Sequence, residues 1–181
     1  MALSLRSPGP SRCGPAPAST PEVEPVSPAE LEQYLHEHIP LSKAMEITVV
    51  SAGETGIVLR APLAPNINHR ETVFGGSASA IAILAGWSLV HTRLRVAGLA
   101  CRVVIQRNTM DYLRPVQGAF EARSWFESPE AWEGFLRLLQ RKGKARITVL
   151  AVLEHGGQVA GRFTGDFVAL AGPENPPAVE P

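Results

Sequence analysis

The sequence predicts an α+β fold, in which a curved, mostly antiparallel sheet of about six strands wraps around one long apolar helix. Three observations predict it. Residues 75–90 carry no charged side chain, and a helix that is apolar all round has to be buried all round. The remaining apolar runs are strand-length and sit in pairs around turn signals. The order reads helix, two strands, the buried helix, two strands, an amphipathic helix and two strands, which one sheet closing on the buried helix accommodates.

Residues 1–26 are rich in Pro, Ser, Ala and Gly without any period, and a disordered tail is expected there. Residues 172–181 read the same way, leaving a single domain over 27–171. Ser27-Pro28-Ala29-Glu30 carries a capping-box signature, with Ser as N-cap, Pro at the first helical position and Glu at the third. That helix should run to about His38 and stop at Pro40. Met45 to Ser51 alternates around Ile47 and Val49 as a strand. Residues 52–56 read as a turn, and Ile57 to Ala61 as the returning strand.

A loop from Pro62 to Val73 leads into the buried helix, which should end near Thr92 or Arg93. Leu99 to Leu113 is a long strand candidate ended by Arg114-Pro115, and Gly118 to Phe126 is the next. Ser128-Pro129-Glu130 opens a helix with Trp132, Phe135, Leu136 and Leu139 on one face and Glu133, Arg137 and Arg141 on the other. Gly143 is its stop. Lys144 to Glu154 and Gln158 to Leu170 flank His155-Gly156-Gly157, a hairpin signal. Trp87 and Trp132 read as core packing.

The formal net charge is zero, and nucleic-acid binding needs a basic excess, so no nucleic-acid partner is expected. Cys13 and Cys101 are the two cysteines; they make neither a disulfide framework nor a metal cluster, and a reducing cytoplasm is the expected setting. The histidines are too scattered for a metal site, and no cofactor is expected. Residues 1–6 lack the apolar stretch of a signal peptide, and none is expected. The apolar stretch from Phe74 to Val90 is shorter than the roughly 20 residues of a spanning helix, so no membrane partner is expected. A single sheet covers only part of the helix, so its open side and the sheet edges call for a homodimer or a dimer of dimers.

The motifs Leu63-Ala64-Pro65-Asn66-Ile67-Asn68-His69, Thr72-Val73-Phe74-Gly75-Gly76-Ser77, Leu84-Ala85-Gly86-Trp87, Tyr112-Leu113-Arg114-Pro115-Val116, Gly143-Lys144-Ala145-Arg146 and Phe163-Thr164-Gly165-Asp166-Phe167 stand in order along the chain. On these, about residues 28–171 resemble the hotdog fold and, within it, the "putative thioesterase" domains called YiiD C-terminal-like. The resemblance implies hydrolysis of an acyl thioester of coenzyme A or acyl carrier protein, with the carbonyl at the N-terminus of the central helix and the site at a dimer interface. Many relatives place Asn, Gly and then His-Gly-Gly at fixed spacing. Aligning the paired glycines puts Asn68 at the Asn, Glu71 at the Gly and Phe74 at the His. The helix carboxylate of that branch falls at Ala82 or Ile83, both apolar.

The candidate residues follow. Gly75 and Gly76 leave backbone N–H groups open at the helix start, and the Gly76 N–H is the candidate oxyanion donor; tight loop-to-helix packing is the alternative. Asn68 and Asn66 could hold the carbonyl or a water, or bond their own turn. His69 is the only histidine on the motif loop, and imidazole suits base work near neutrality; Glu71 is the carboxylate nearest the helix start. Either could equally be a solvated loop residue. Phe74 and Ser77 flank the glycines as substrate contacts, and Ser77 could instead cap the helix. Asp111 could reach the site from a partner subunit or be an edge-strand charge. Arg141, with Arg137, Lys142, Lys144 and Arg146, could meet coenzyme A phosphates or an acidic carrier, or form a solvated face. The empty acid position also suits decarboxylation of a malonyl-type thioester, which needs an oxyanion donor and no activated water. A binding module without turnover is the third reading.

Overall fold

The computed structural model describes residues 26–172; the expected tails, 1–26 and 172–181, and with them Cys13, lie outside it apart from Val26 and Gly172. Helix α1 (Pro28–His38) starts at the predicted capping box. The Ser27 hydroxyl accepts from the Glu30 N–H at 3.3 Å, and the Glu30 carboxylate accepts from the Ser27 N–H at 2.9 Å. Pro40 ends α1 but also opens a second short helix, α2 (Pro40–Ala44), because its missing N–H costs nothing at a first helical position. The Ile47 N–H donates to the Ser42 carbonyl at 3.0 Å, holding residues 45–47 in the exit from α2. Strand β1 (Thr48–Gly53) therefore starts three residues later than the alternation suggests.

Strand β2 (Gly56–Ala61) returns alongside β1. Helix α3 (Gly75–Val96) is the long apolar helix, and it continues about a turn past its expected end. Arg93 and Arg95 lie in that extra turn, where positive charge suits the helix dipole. Strands β3 (Cys101–Tyr112) and β4 (Phe120–Phe126) follow. Helix α4 (Pro129–Lys142) runs from the Ser128 cap to Gly143, which takes the left-handed φ of 66° expected of a stop. Strands β5 (Lys144–His155) and β6 (Gln158–Ala171) meet through Gly156 and Gly157, at φ of 56° and 73°. Two consecutive positive φ angles are what a tight two-residue hairpin turn requires.

The strands form one sheet in the order β1-β2-β4-β5-β6-β3, with every neighbouring pair antiparallel. It curves around α3, which is the hotdog architecture. Helix and sheet approach closely at Gly86, where an added Cβ would lie 2.9 Å from Phe167 Cε2 and Cζ and 3.4 Å from Val149 Cγ1. The Ser124 hydroxyl donates to the Ala85 carbonyl at 2.8 Å, joining β4 to the same turn of the helix.

The sheet covers one side of α3 only. Ser79, Ala80, Ile83 and Trp87, spaced along the other side, stay half-buried, so the expected all-round burial does not hold within one chain. Trp132 is a core residue, stacked on Phe126 and tilted against Phe135. Trp87 is not; it sits at the core margin, donates its indole N–H to the Val103 carbonyl at 3.0 Å and stacks on His91. On the face of the sheet turned away from α3, the Asp166 carboxylate accepts from the Thr148 hydroxyl and from Arg107, each at 2.8 Å. These bonds, Thr148 first, hold the Asp166 carboxyl below the usual aspartate range. Among the described residues no helix is long and apolar enough to cross a membrane.

Candidate active site

The loop into α3 is built by its two asparagines. Asn66 closes a short 3-10 turn (Ala64–Asn66) and is 1 % exposed. Its Nδ2 donates to the carbonyls of Pro62 at 2.8 Å and Met45 at 3.0 Å. Its backbone carbonyl accepts from the Phe74 N–H at 2.7 Å, which fixes the residue before the helix. Asn68 organises the next turn. Its Oδ1 accepts from the Arg70 N–H at 2.7 Å, and its Nδ2 donates to Thr72 Oγ1 at 3.0 Å. The strand-like bridge between Ile67 and Val73 closes the loop's base.

Inside this loop Glu71 has a φ of 59°, left-handed backbone that suits glycine. The alignment that puts Glu71 at a family glycine thus has a backbone reason. His69 and Glu71 are both exposed. No side-chain hydrogen bond is formed by either among the described residues.

Helix α3 then begins without a side-chain cap, since Phe74 occupies the N-cap. The first backbone bond of the helix start runs from the Ala78 N–H to the Phe74 carbonyl at 3.0 Å. The N–H groups of Gly75, Gly76 and Ser77 therefore have no protein acceptor among the described residues, and Gly76 is exposed. Three open donors at the positive end of a 22-residue helix favour an anion or an oxygen gaining negative charge. The Phe74 ring lies over Gly76, where an added Cβ would come within 2.2 Å of Phe74 Cε1. At Gly75 an added Cβ would be in ordinary contact with the Tyr112 ring, at 3.5 Å.

A cavity of about 330 Å³ opens beside this first turn. Val73, Ala78, Val116, Leu153 and Ala160 give it an apolar lining, with Tyr112 at its edge. Around the helix start Ile67, Phe74, Tyr112 and Leu113 are exposed apolar side chains, Phe74 and Tyr112 each at 57 %. Such a cluster is where a ligand or a second subunit gains most by covering it.

The structure thus brings together Asn66, Asn68, Phe74, Gly75, Gly76 and Ser77. It adds Tyr112 and Ser79, which the sequence alone does not mark as site residues: Tyr112 donates its hydroxyl to the Gly75 carbonyl at 3.0 Å and lies 2.7 Å from the Ser79 hydroxyl. These contacts span 33 and 37 residues, so no local pattern reveals them, though the Tyr112-Leu113-Arg114-Pro115 motif marks the place. Two other candidates stand apart within one chain. Asp111 pairs with Arg162 and, by strand alternation from Tyr112, points to the far face of the sheet. Arg141 lies near Lys144, which pairs with Leu170, which in turn pairs with Arg102. Tyr112 is ten residues further along β3, roughly 33 Å at a strand's rise per residue. Among the described residues no group of three His, Cys, Asp or Glu side chains could hold a metal ion.

A family model described as "Putative thioesterase (yiiD_Cterm)" matches residues 28–171. The chain is similar to the solved structure of a Chlorobaculum tepidum TLS protein described as of unknown function, with 30 % identity and a TM-score of 0.75 over 82 % of this chain and 99 % of that one. It is also similar to a protein described as a "putative thioesterase" from Shewanella oneidensis, with 30 % identity and a TM-score of 0.71 over 79 % of this chain and 96 % of that one. The Haemophilus influenzae thioesterase HI1161 shares the fold at 14 % identity, with a TM-score of 0.66 over 82 % and 94 % of the two chains.

Proposed function

Since the chain belongs to the family described as "Putative thioesterase (yiiD_Cterm)", we propose that it hydrolyses acyl thioesters of coenzyme A or acyl carrier protein. The observation that carries this reading is the uncapped start of α3, with the open N–H groups of Gly75, Gly76 and Ser77 beside an apolar cavity. The thioester carbonyl oxygen accepts from these donors, Gly76 foremost, and the acyl group takes the cavity. Water adds to the carbonyl carbon, negative charge gathers on the oxygen, and the C–S bond breaks as the sulfur leaves with a proton. Losing one such donor typically lowers the rate about 10²–10³-fold. His69 and Glu71 are the loop's candidates for activating the water, and Asn68 serves by holding the loop's shape. Phe74 and Ser77 contact the substrate.

The half-buried stripe on α3 and the long edge strand β3 support a homodimer, in which Asp111 or Arg141 of a second copy can meet the site. A buried, free Cys101 is in keeping with a reducing cytoplasm.

One observation favours a second reaction. The helix carries no acid from Gly75 to Val96, and of the two residues that fall at the family's acid position Ala82 is fully buried and Ile83 half-buried, both apolar. A malonyl-type thioester needs only its enolate stabilised: the bond to the terminal carboxylate breaks, its electrons move into the thioester, and the α-carbon then takes a proton. Purified protein incubated with acyl and malonyl thioesters, on coenzyme A and on carrier protein, separates the readings. Free thiol supports hydrolysis, carbon dioxide without thiol supports decarboxylation, and neither product leaves a binding module.

A further inference from the structure

We infer that Tyr112 is a positioning residue for the helix-start site, holding the first turn of α3 so that its open N–H groups keep one orientation. The inference rests on the reading of that turn as the carbonyl-binding site. It adds the residue that keeps the turn in place.

The first turn is soft by composition. It begins with two glycines, which favour no particular backbone conformation, and no side chain caps it. Its restraint comes from across the fold. The Tyr112 hydroxyl donates to the Gly75 carbonyl at 3.0 Å, and the Ser79 hydroxyl lies 2.7 Å from the Tyr112 hydroxyl oxygen. A phenol has one donor and two acceptor positions, so it can give its proton to Gly75 and accept from Ser79. One hydroxyl then ties both ends of a single helical turn.

The mount is firm as well. Tyr112 is the last residue of β3, paired with Gly161. The N–H groups of Leu113 and Arg114 both donate to the Ala160 carbonyl, at 2.9 and 3.2 Å. The segment then turns to let the Val116 carbonyl accept from the Val73 N–H at 2.8 Å, one residue ahead of the N-cap. Strand end and helix start are thus parts of one frame. Tyr112 is 57 % exposed, so burial does not account for its placement. Donors stabilise developing charge only when their direction is set beforehand, and small misplacements of reacting groups cost up to about 10²-fold.

Tyr112→Phe keeps the ring and removes the hydroxyl. Turnover of an acyl thioester should fall about 10-fold in kcat with KM little changed, as expected for a loss felt in the transition state alone. Hydrogen exchange at the Ala78 and Ser79 amides should quicken while the middle of α3 stays as it was. Unchanged exchange overturns the clamp, whether or not the natural chain turns over any thioester. Faster exchange with unchanged kcat, or a rise in KM at constant kcat, overturns the positioning role and leaves the carbonyl-site reading standing. Absence of turnover in the natural chain removes that reading, and the positioning role with it.

Discussion

Gly86→Ala should destabilise the protein although alanine is the better helix former. The added Cβ would stand 2.9 Å from two carbon atoms of the Phe167 ring. Carbon atoms prefer about 3.5–4.0 Å, so the intrusion is about 0.6 Å or more. The ring has little room to retreat. Phe167 and Val149 are fully buried, and the ring also lies over Gly165, where an added Cβ would be 2.9 Å from Cε2. Overpacking of this kind costs about 1–3 kcal/mol. Replacing glycine inside a helix returns about 1 kcal/mol. The net is about 1 kcal/mol of lost stability.

Gly134→Ala is the matched control. It lies within α4, and an added Cβ there would meet only the Arg137 guanidinium at 3.9 Å. That variant should gain up to about 1 kcal/mol. Urea unfolding should separate the two by about 2 kcal/mol with equal m-values, and Tm by roughly 4–8 °C. A Gly86→Ala protein as stable as Gly134→Ala would refute the claim that Gly86 sets the distance between helix and sheet.

Three further outcomes can be measured. The folded Asp166 carboxyl lies below its ordinary value of 3.8, through Thr148 first and then Arg107 and Arg146. Folding therefore favours the ionised form, and that stability is complete above pH 3.8 and is lost as pH falls through the folded value. Asp166→Asn should flatten the acid limb of the stability curve below that pH, and a limb identical to the natural one would count against the network. Asn66→Ala strips the Pro62 and Met45 carbonyls of a buried donor and should cost about 1–3 kcal/mol in urea unfolding; no loss would mean the loop holds without it. Glu71→Gly relieves a left-handed backbone and should raise stability by about 1 kcal/mol in thermal unfolding. If hydrolysis survives that change undiminished, Glu71 does not activate the water.

Much of this fold is legible along the chain because its signals are local. The Ser27 capping box, the Gly143 stop and the Gly156-Gly157 turn each act within a few residues, and each marks an element end within a residue or two. What the chain does not announce has equally physical causes. Pro40 stops one helix and suits the first turn of another, so the same residue signals both. Periodicity gives the apolar character of α3 but not which side the sheet leaves open, because that depends on how far six strands can curve. Asn66 reads as a ligand-facing polar residue until its burial shows both amide protons engaged on backbone carbonyls. Sequence distance likewise does not tell that Arg141 and Gly76 lie at opposite ends of one chain's sheet. Tyr112 meets Gly75 only through the register of the whole β6–β3 pair.

The sheet order carries a consequence for how the molecule assembles. Strands β5 and β6 are joined by a two-residue turn, so their pairing closes almost no loop. Strands β2 and β4 are neighbours too, yet residues 62–119 between them contain all of α3 and β3. That junction must bridge a long stretch of chain before its contacts return anything. Completing it encloses α3 in the concave face, so helix capture and sheet closure become a single event. The entropy of loop closure therefore falls on the β2–β4 junction and hardly at all on the β5–β6 hairpin.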